Sequence, residues 1–139
     1  MLIINSDGGA RGNPGPAAIG IIIRRNDKII EKYSEKLKTR VTNNVAEYIG
    51  LIRALQIVLE DYEEREITCC LDSELVIKQL LGQYRVRNQV LLKLFLKVQE
   101  LQEKFDKIIY KHVKRKDPFQ KLADYVLNKE LDEQTEEAK

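Results

Sequence analysis

Tryptophan is absent from the 139 residues, while histidine and methionine occur once each, cysteine twice and proline three times. Each scarcity excludes something. A single histidine, His112, leaves no zinc site to assemble, because no second histidine or spaced cysteine pair stands beside it. Cys69 and Cys70 are adjacent, and neighbours on a strand point to opposite faces, so they cannot bridge each other. They are expected as reduced core thiols. No run approaches the ~18 apolar residues of a membrane span, and nothing at Met1 reads as a signal peptide. A hydrophobic content of 43% is too high for a disordered chain. The expectation is a soluble cytoplasmic domain with no membrane partner, long enough to bury roughly two-thirds of the surface its unfolded chain exposes.

What is present is charge, unevenly placed. The formal net charge is only +2. Residues 1–83 carry 11 basic and 12 acidic groups, residues 84–116 carry 10 and 3, and residues 117–139 carry 3 and 7. A basic block on a near-neutral chain suits a polyanion held at one place, although it also fits the solvated face of a helix.

The apolar pattern predicts the elements. Leu2-Ile3-Ile4 opens a first strand that runs into Asn5-Ser6-Asp7-Gly8-Gly9, where the glycines are expected to stop it. Residues 17–25 and 28–37 read as two isoleucine-rich strands around the turn at Asn26-Asp27. Over 43–60 the period becomes helical, with two apolar stripes, so this helix is expected between the sheet and another element. A buried strand at 67–71, helices at 73–81 and 89–104, a strand at 107–113 and a helix opened by Pro118 complete the order βββ-α-β-α-α-β-α. That order predicts an α/β (α+β) domain, a five-stranded mixed sheet with helices on both faces, over residues 1–131. Residues 132–139 are expected to be an acidic tail that frays.

Four carboxylates stand where packing alone does not call for them. Asp7 and Asp72 are placed at strand ends, Glu47 shares a helical face with Leu51, Ala54 and Val58, and Asp124 lies beside Leu122, Ala123, Val126 and Leu127. Carboxylates gathered at one sheet edge repel and lose hydration unless a cation compensates, and hard oxygen donors suit magnesium or manganese. Each acid also has a structural reading. Asp7 can be a turn residue, Asp72 or Ser73 a helix cap, Glu47 the third member of a capping box begun by Asn44, and Asp124 a solvated edge residue. No serine has a histidine partner, and the glycine-rich loop lacks the Gly-Lys-Ser/Thr of a P-loop.

Four ordered segments, taken together, resemble the ribonuclease H type 1 family. They are Asp7-Gly8-Gly9-Ala10-Arg11-Gly12-Asn13-Pro14-Gly15-Pro16, Thr42-Asn43-Asn44-Val45-Ala46-Glu47-Tyr48, Asp72-Ser73-Glu74-Leu75-Val76-Ile77-Lys78-Gln79-Leu80 and Leu122-Ala123-Asp124. The resemblance covers residues 1–130 and implies a ribonuclease H-like fold. The implied activity is endonucleolytic hydrolysis of the RNA strand of RNA–DNA hybrids, leaving 5′-phosphate and 3′-hydroxyl ends. It further implies two Mg2+ ions, with Mn2+ as a substitute: Asp7 bridging both, Glu47 and Asp72 holding one, and Asp124 the other. The substrate contacts it implies are Gly8, Gly9, Arg11 and Asn13 in the first loop, Asn43, Asn44 and Ser73 in the minor groove, and Thr42 on a DNA phosphate. Arg85, Arg87 and Asn88 are further candidates, each equally explained as a cap or surface residue.

The chain departs from the family pattern in two places. The loop Lys114-Arg115-Lys116-Asp117-Pro118-Phe119 lacks the histidine that some members carry, and His112 comes too early to take its role. Gln120 occupies a position where the family often has asparagine or glutamate, and it could orient a water. The basic helix-and-loop insertion of some members has no clear counterpart. Double-stranded RNA stands open as a second partner and substrate, and two other readings stand beside the first: a non-catalytic module that binds hybrids or double strands, and another nuclease of the same superfold. The expected state is a monomer.

Overall fold

The computed structural model describes residues 1–137, with side chains as far as Glu133. Strands β1 (Leu2–Ala10), β2 (Ala17–Arg25) and β3 (Lys28–Lys36) form an antiparallel meander. Helix α1 (Asn43–Asp61) leads to β4 (Glu66–Leu71), which pairs parallel with β1, and α2 (Glu74–Leu80) and α3 (Gln89–Gln102) follow. Strand β5 (Lys107–His112) pairs parallel with β4, and α4 (Pro118–Glu137) closes the chain. The sheet order is β3-β2-β1-β4-β5.

Strand β2 shows why both faces are covered. Residues 17–23 are all buried, which an antiparallel strand achieves only with a layer on each side. Ile19, Ile21 and Ile23 join the main core with Leu51, Leu55 and Val58 of α1 and Leu91, Val98 and Leu101 of α3. Ala18, on the opposite face, packs with Leu127 and Leu131 of α4. Helix α1 is therefore sandwiched between the sheet and α3, as its two apolar stripes require. Cys69 and Cys70 are free and buried.

Three local expectations change. The glycines do not stop β1, which continues to Ala10 with Gly8 opposite Ile19 and Gly9 opposite Ala18. Glycine is needed at Gly8 because the start of α1 passes so close that a Cβ would collide with the Ala46 carbonyl. The cap of α1 is Thr42, whose Oγ1 accepts from Val45 N at 3.3 Å, not Asn44. Glu47 therefore lies a turn inside the helix and is no member of a capping box. Finally, helix α4 runs to Glu137, six residues beyond the expected domain boundary at residue 131. Residues 138 and 139 of that tail lie outside the described residues.

Candidate active site

Asp7 lies within β1, with Oδ1 accepting from Gly8 N at 2.9 Å. The parallel neighbour β4 ends at Leu71, so Asp72 comes off the same edge of the sheet. The close approach at Gly8 brings Glu47 of α1 against that edge. One ligand oxygen from each of Asp7, Glu47 and Asp72 lies within 4.8 Å of the others. Asp124 of α4 is exposed and faces the same open cleft, a space of about 390 Å³. Asn128, one turn on, holds it by donating Nδ2 to the Asp124 carbonyl at 2.9 Å and to Oδ1 at 3.1 Å.

The electrostatics of the cluster follow from burial. Loss of water pushes Asp7 up to about 7, against a hydrogen bond shared with Glu47 and together with repulsion from Asp72 and Asp124. Burial, then the Asp7 charge, raises Glu47 well above the ordinary range. Both shifts favour the protonated over the doubly charged pair. Burial also raises Asp72, opposed by Arg115, whose Nε stands 3.8 Å from Asp72 Oδ2. Glu47 Oε2 is buried with no hydrogen-bond partner. An orphaned carboxylate oxygen beside two more carboxylates is a donor set suited to a hard divalent cation.

The cleft gathers Gly8, Gly9, Arg11, Asn43, Asn44 and Ser73 around the acids. Ser73 doubles as the cap of α2, accepting from Val76 N at 3.3 Å. Asn13 and Thr42 are not in this cleft. They line a neighbouring groove with Arg40, Val41 and Asn88, and Asn44 borders both spaces. Asn13 accepts from Asn43 N at 3.0 Å while Asn43 accepts from Ala10 N at 2.9 Å, tying the first loop to α1. Asn88 caps α3, accepting from Val90 N and Leu91 N.

Arg115, Asn128 and Arg40 are the residues that sequence reasoning passed over. Asn128 carried a signal, the four-residue spacing from Asp124 that lets side chains meet on a helix. Arg115 was hidden in a run of three basic residues. His112 ends β5 opposite Leu71, and its Nε2 lies 3.2 Å from the Asp72 carbonyl oxygen, nearer the cleft than its strand position suggested. Gln120 makes its hydrogen bonds to protein groups, Asn5 and Ser6. It is fully buried between α4 and β1.

A mixed sheet of this order, with a helix across each face and an acid-lined cleft built from β1, α1, the end of β4 and α4, defines a ribonuclease H-like fold. Residues 5–128 match the family model described as Reverse transcriptase-like. Bifunctional protein Rv2228c of Mycobacterium tuberculosis is 39% identical over 115 residues, or 82% of this chain and 31% of that protein. Its N-terminal RNase H domain, solved as a fusion with maltose binding protein, superposes with a TM-score of 0.89 over 99% of this chain and 98% of the other, at 34% identity. Ribonuclease HI of Halobacterium salinarum is 37% identical over 127 residues, 91% of this chain and 62% of that protein. LC11-RNase H1, solved in complex with an RNA/DNA hybrid, has a TM-score of 0.85 at 34% identity, covering 93% of this chain and 95% of the other. The chain belongs to the ribonuclease H family. It spans about a third of the length of the mycobacterial relatives it matches.

Proposed function

We propose that this chain is an endoribonuclease that hydrolyses the RNA strand of RNA–DNA hybrids, using Asp7, Glu47, Asp72 and Asp124 to hold two divalent ions, Mg2+ or Mn2+. The observation that carries the reading is the buried Asp7–Glu47–Asp72 cluster, with its orphaned Glu47 oxygen, opening on a cleft that Asp124 also borders. Asp7, Glu47 and Asp72 would hold one ion, and Asp7 with Asp124 the other. Bound divalent ions supply an activated water and stabilise the leaving 3′-oxygen, which accounts for 5′-phosphate and 3′-hydroxyl products.

The protein's own part is to position and to exclude. Burial raises both Asp7 and Glu47, which favours protonation of the pair at neutral pH, and a bound cation would favour its release. The Gly8–Gly9 backbone, with no side chain in the way, lets a wide, shallow minor groove approach closely, and Asn43, Asn44 and Ser73 offer polar groups to its 2′-hydroxyls. Arg11 and Arg115 border the cleft as counter-charges to phosphate. The groove containing Arg40, Thr42 and Asn88 is suited to a phosphate of the DNA strand. All four acids come from one chain, which supports a working monomer, and the free, buried thiols fit the reducing cytoplasm. Among the described residues no helix is long and apolar enough to cross a membrane.

The test is a gel assay on an end-labelled hybrid with an internal RNA segment, with Mg2+ or with chelator, beside RNA–RNA and DNA–DNA duplexes. Internal cuts in the RNA, only with metal, are expected. Asp7→Asn and Asp72→Asn should each lower the rate at least ~1,000-fold while hybrid affinity stays within about threefold, because the lost charge serves the metal. A shifted but uncut hybrid would instead make the chain a binding module, and cutting of RNA–RNA would widen the substrate.

A further inference from the structure

Gln120 is a fully buried amide in a thin part of the core, and nothing in the proposed chemistry uses it. Its Nε2 donates to the Ser6 carbonyl at 2.8 Å, and its Oε1 accepts from Asn5 Nδ2 at 3.2 Å. Asn5, also fully buried, accepts at Oδ1 from Arg24 Nε at 2.9 Å. Arg24 is fixed in turn, with its guanidinium 3.9 Å from the centre of the Phe119 ring and a hydrogen bond to the Asn26 carbonyl. The chain of bonds has one direction. Arginine only donates, so Asn5 must turn its oxygen to Arg24 and its NH2 to Gln120. Gln120 must then turn its oxygen to Asn5 and its NH2 to Ser6.

One end of this relay adjoins two of the acids that border the cleft. Ser6 precedes Asp7, and Asp124 stands one helical turn after Gln120. Apolar packing seats α4 on the sheet through Ala18, Ala123, Leu127 and Leu131, with Ala123 and Val126 closing over Gly20. To that steric seat a satisfied buried amide adds directional bonds, which specify one register. We propose that Gln120 is a positioning residue: its bonds to Asn5 and Ser6 lock the axial register of α4 on β1 and so set Asp124 against Asp7. The inference rests on the reading of the four acids as a metal-dependent nuclease site.

Two variants test it in the full chain. Gln120→Met keeps the volume and removes both bonds. Asn5→Asp keeps its shape and the Arg24 contact but offers Gln120 only an acceptor, which turns the amide over and takes its NH2 away from Ser6. Each variant should lower kcat about tenfold with KM for the hybrid within about twofold. In an Asp124→Asn background Gln120→Met should change the rate less than twofold, since coupled residues are not additive. An independent readout is paramagnetic broadening of amide signals by bound Mn2+. Residues 122–126 should be broadened in the wild type and distinctly less in both variants. Unchanged kcat and broadening below the melting temperature, or full additivity with Asp124→Asn, would overturn the proposal and leave Gln120 a stability residue. A wild type that neither binds Mn2+ nor cuts would remove the metal-site reading itself, and the positioning role with it.

Discussion

At Asp7 the fold holds a carboxyl in a place that disfavours its charge, and this has a thermodynamic sign. Burial, partly offset by the Glu47 hydrogen bond, raises Asp7 to about 7, while in the unfolded chain it titrates near 3.8. The folded state thus binds a proton that the unfolded chain has released. The stability this contributes is complete below the unfolded value and is lost as the pH rises through the folded one. Metal-free protein should therefore melt lower at about pH 8 than at about pH 5.5, and saturating Mg2+ should recover the difference at pH 8. Asp7→Asn, which removes the charge, should melt roughly 3–8 °C above the wild type in chelator at pH 8. Calorimetry at the two pH values checks this, and a variant no more stable than the wild type at pH 8 would contradict the assignment. His112 is the complementary case. Its ring Nε2 lies 3.2 Å from the Asp72 carbonyl oxygen rather than against a carboxylate oxygen, so His112→Ala should leave kcat within about threefold.

Among the elements, α4 is placed by close approach rather than by bulk. Gly20 of β2 lies directly under it, and a Cβ there would collide with the Ala123 carbonyl and stand 2.9 Å from Val126 Cγ2. Backbone cannot rotate out of the way as a side chain can. Gly20→Ala should therefore lift α4 from the sheet, destabilise by about 1–3 kcal/mol, and lower kcat by moving Asp124. Denaturant unfolding and the rate on a hybrid measure the two effects together. A stable variant of normal rate would show that α4 is seated elsewhere. The start of α4 is otherwise well made. Asp117 caps it by accepting from Phe119 N and Gln120 N at 3.0 and 3.1 Å, which leaves Pro118 at the first helical position.

Over the whole molecule, the basic block of residues 84–116 becomes surface. Arg85, Arg87, Lys93, Lys104, Lys107, Lys111, Lys114, Arg115 and Lys116 are all exposed, spread from the start of α3 to the loop before α4. Such a surface gives an affinity that is blind to sequence and sensitive to salt. If about four phosphates are neutralised, hybrid binding should weaken on the order of a hundredfold between 50 and 200 mM NaCl. Replacing Arg85 and Arg87 together by alanine should lower the salt slope by about two without changing kcat. Filter binding across a salt series reads both, and an unchanged slope would place the nucleic acid on another face.

The sequence by itself determined the order of elements and the sheet class, and it singled out the four acids as candidates, because period, turn chemistry and short motifs are local properties of the chain. It also marked α1 as a sandwiched helix, since two apolar stripes need two neighbours. It misplaced what depends on neighbours distant in sequence. The Gly8–Gly9 pair reads as a strand terminator in one dimension, yet it is the point where α1 crosses β1, so β1 runs on. Gln120 reads as a residue that could meet a water, yet its partners are Asn5 and Ser6, more than a hundred positions away. The upward shifts of Asp7 and Glu47, and the facing of Arg115 to Asp72, likewise arise only when β1, α1, β4 and the loop before α4 are brought to one edge. Burial and charge proximity are properties of that assembly and not of any segment, which is why the tertiary structure alone decided them.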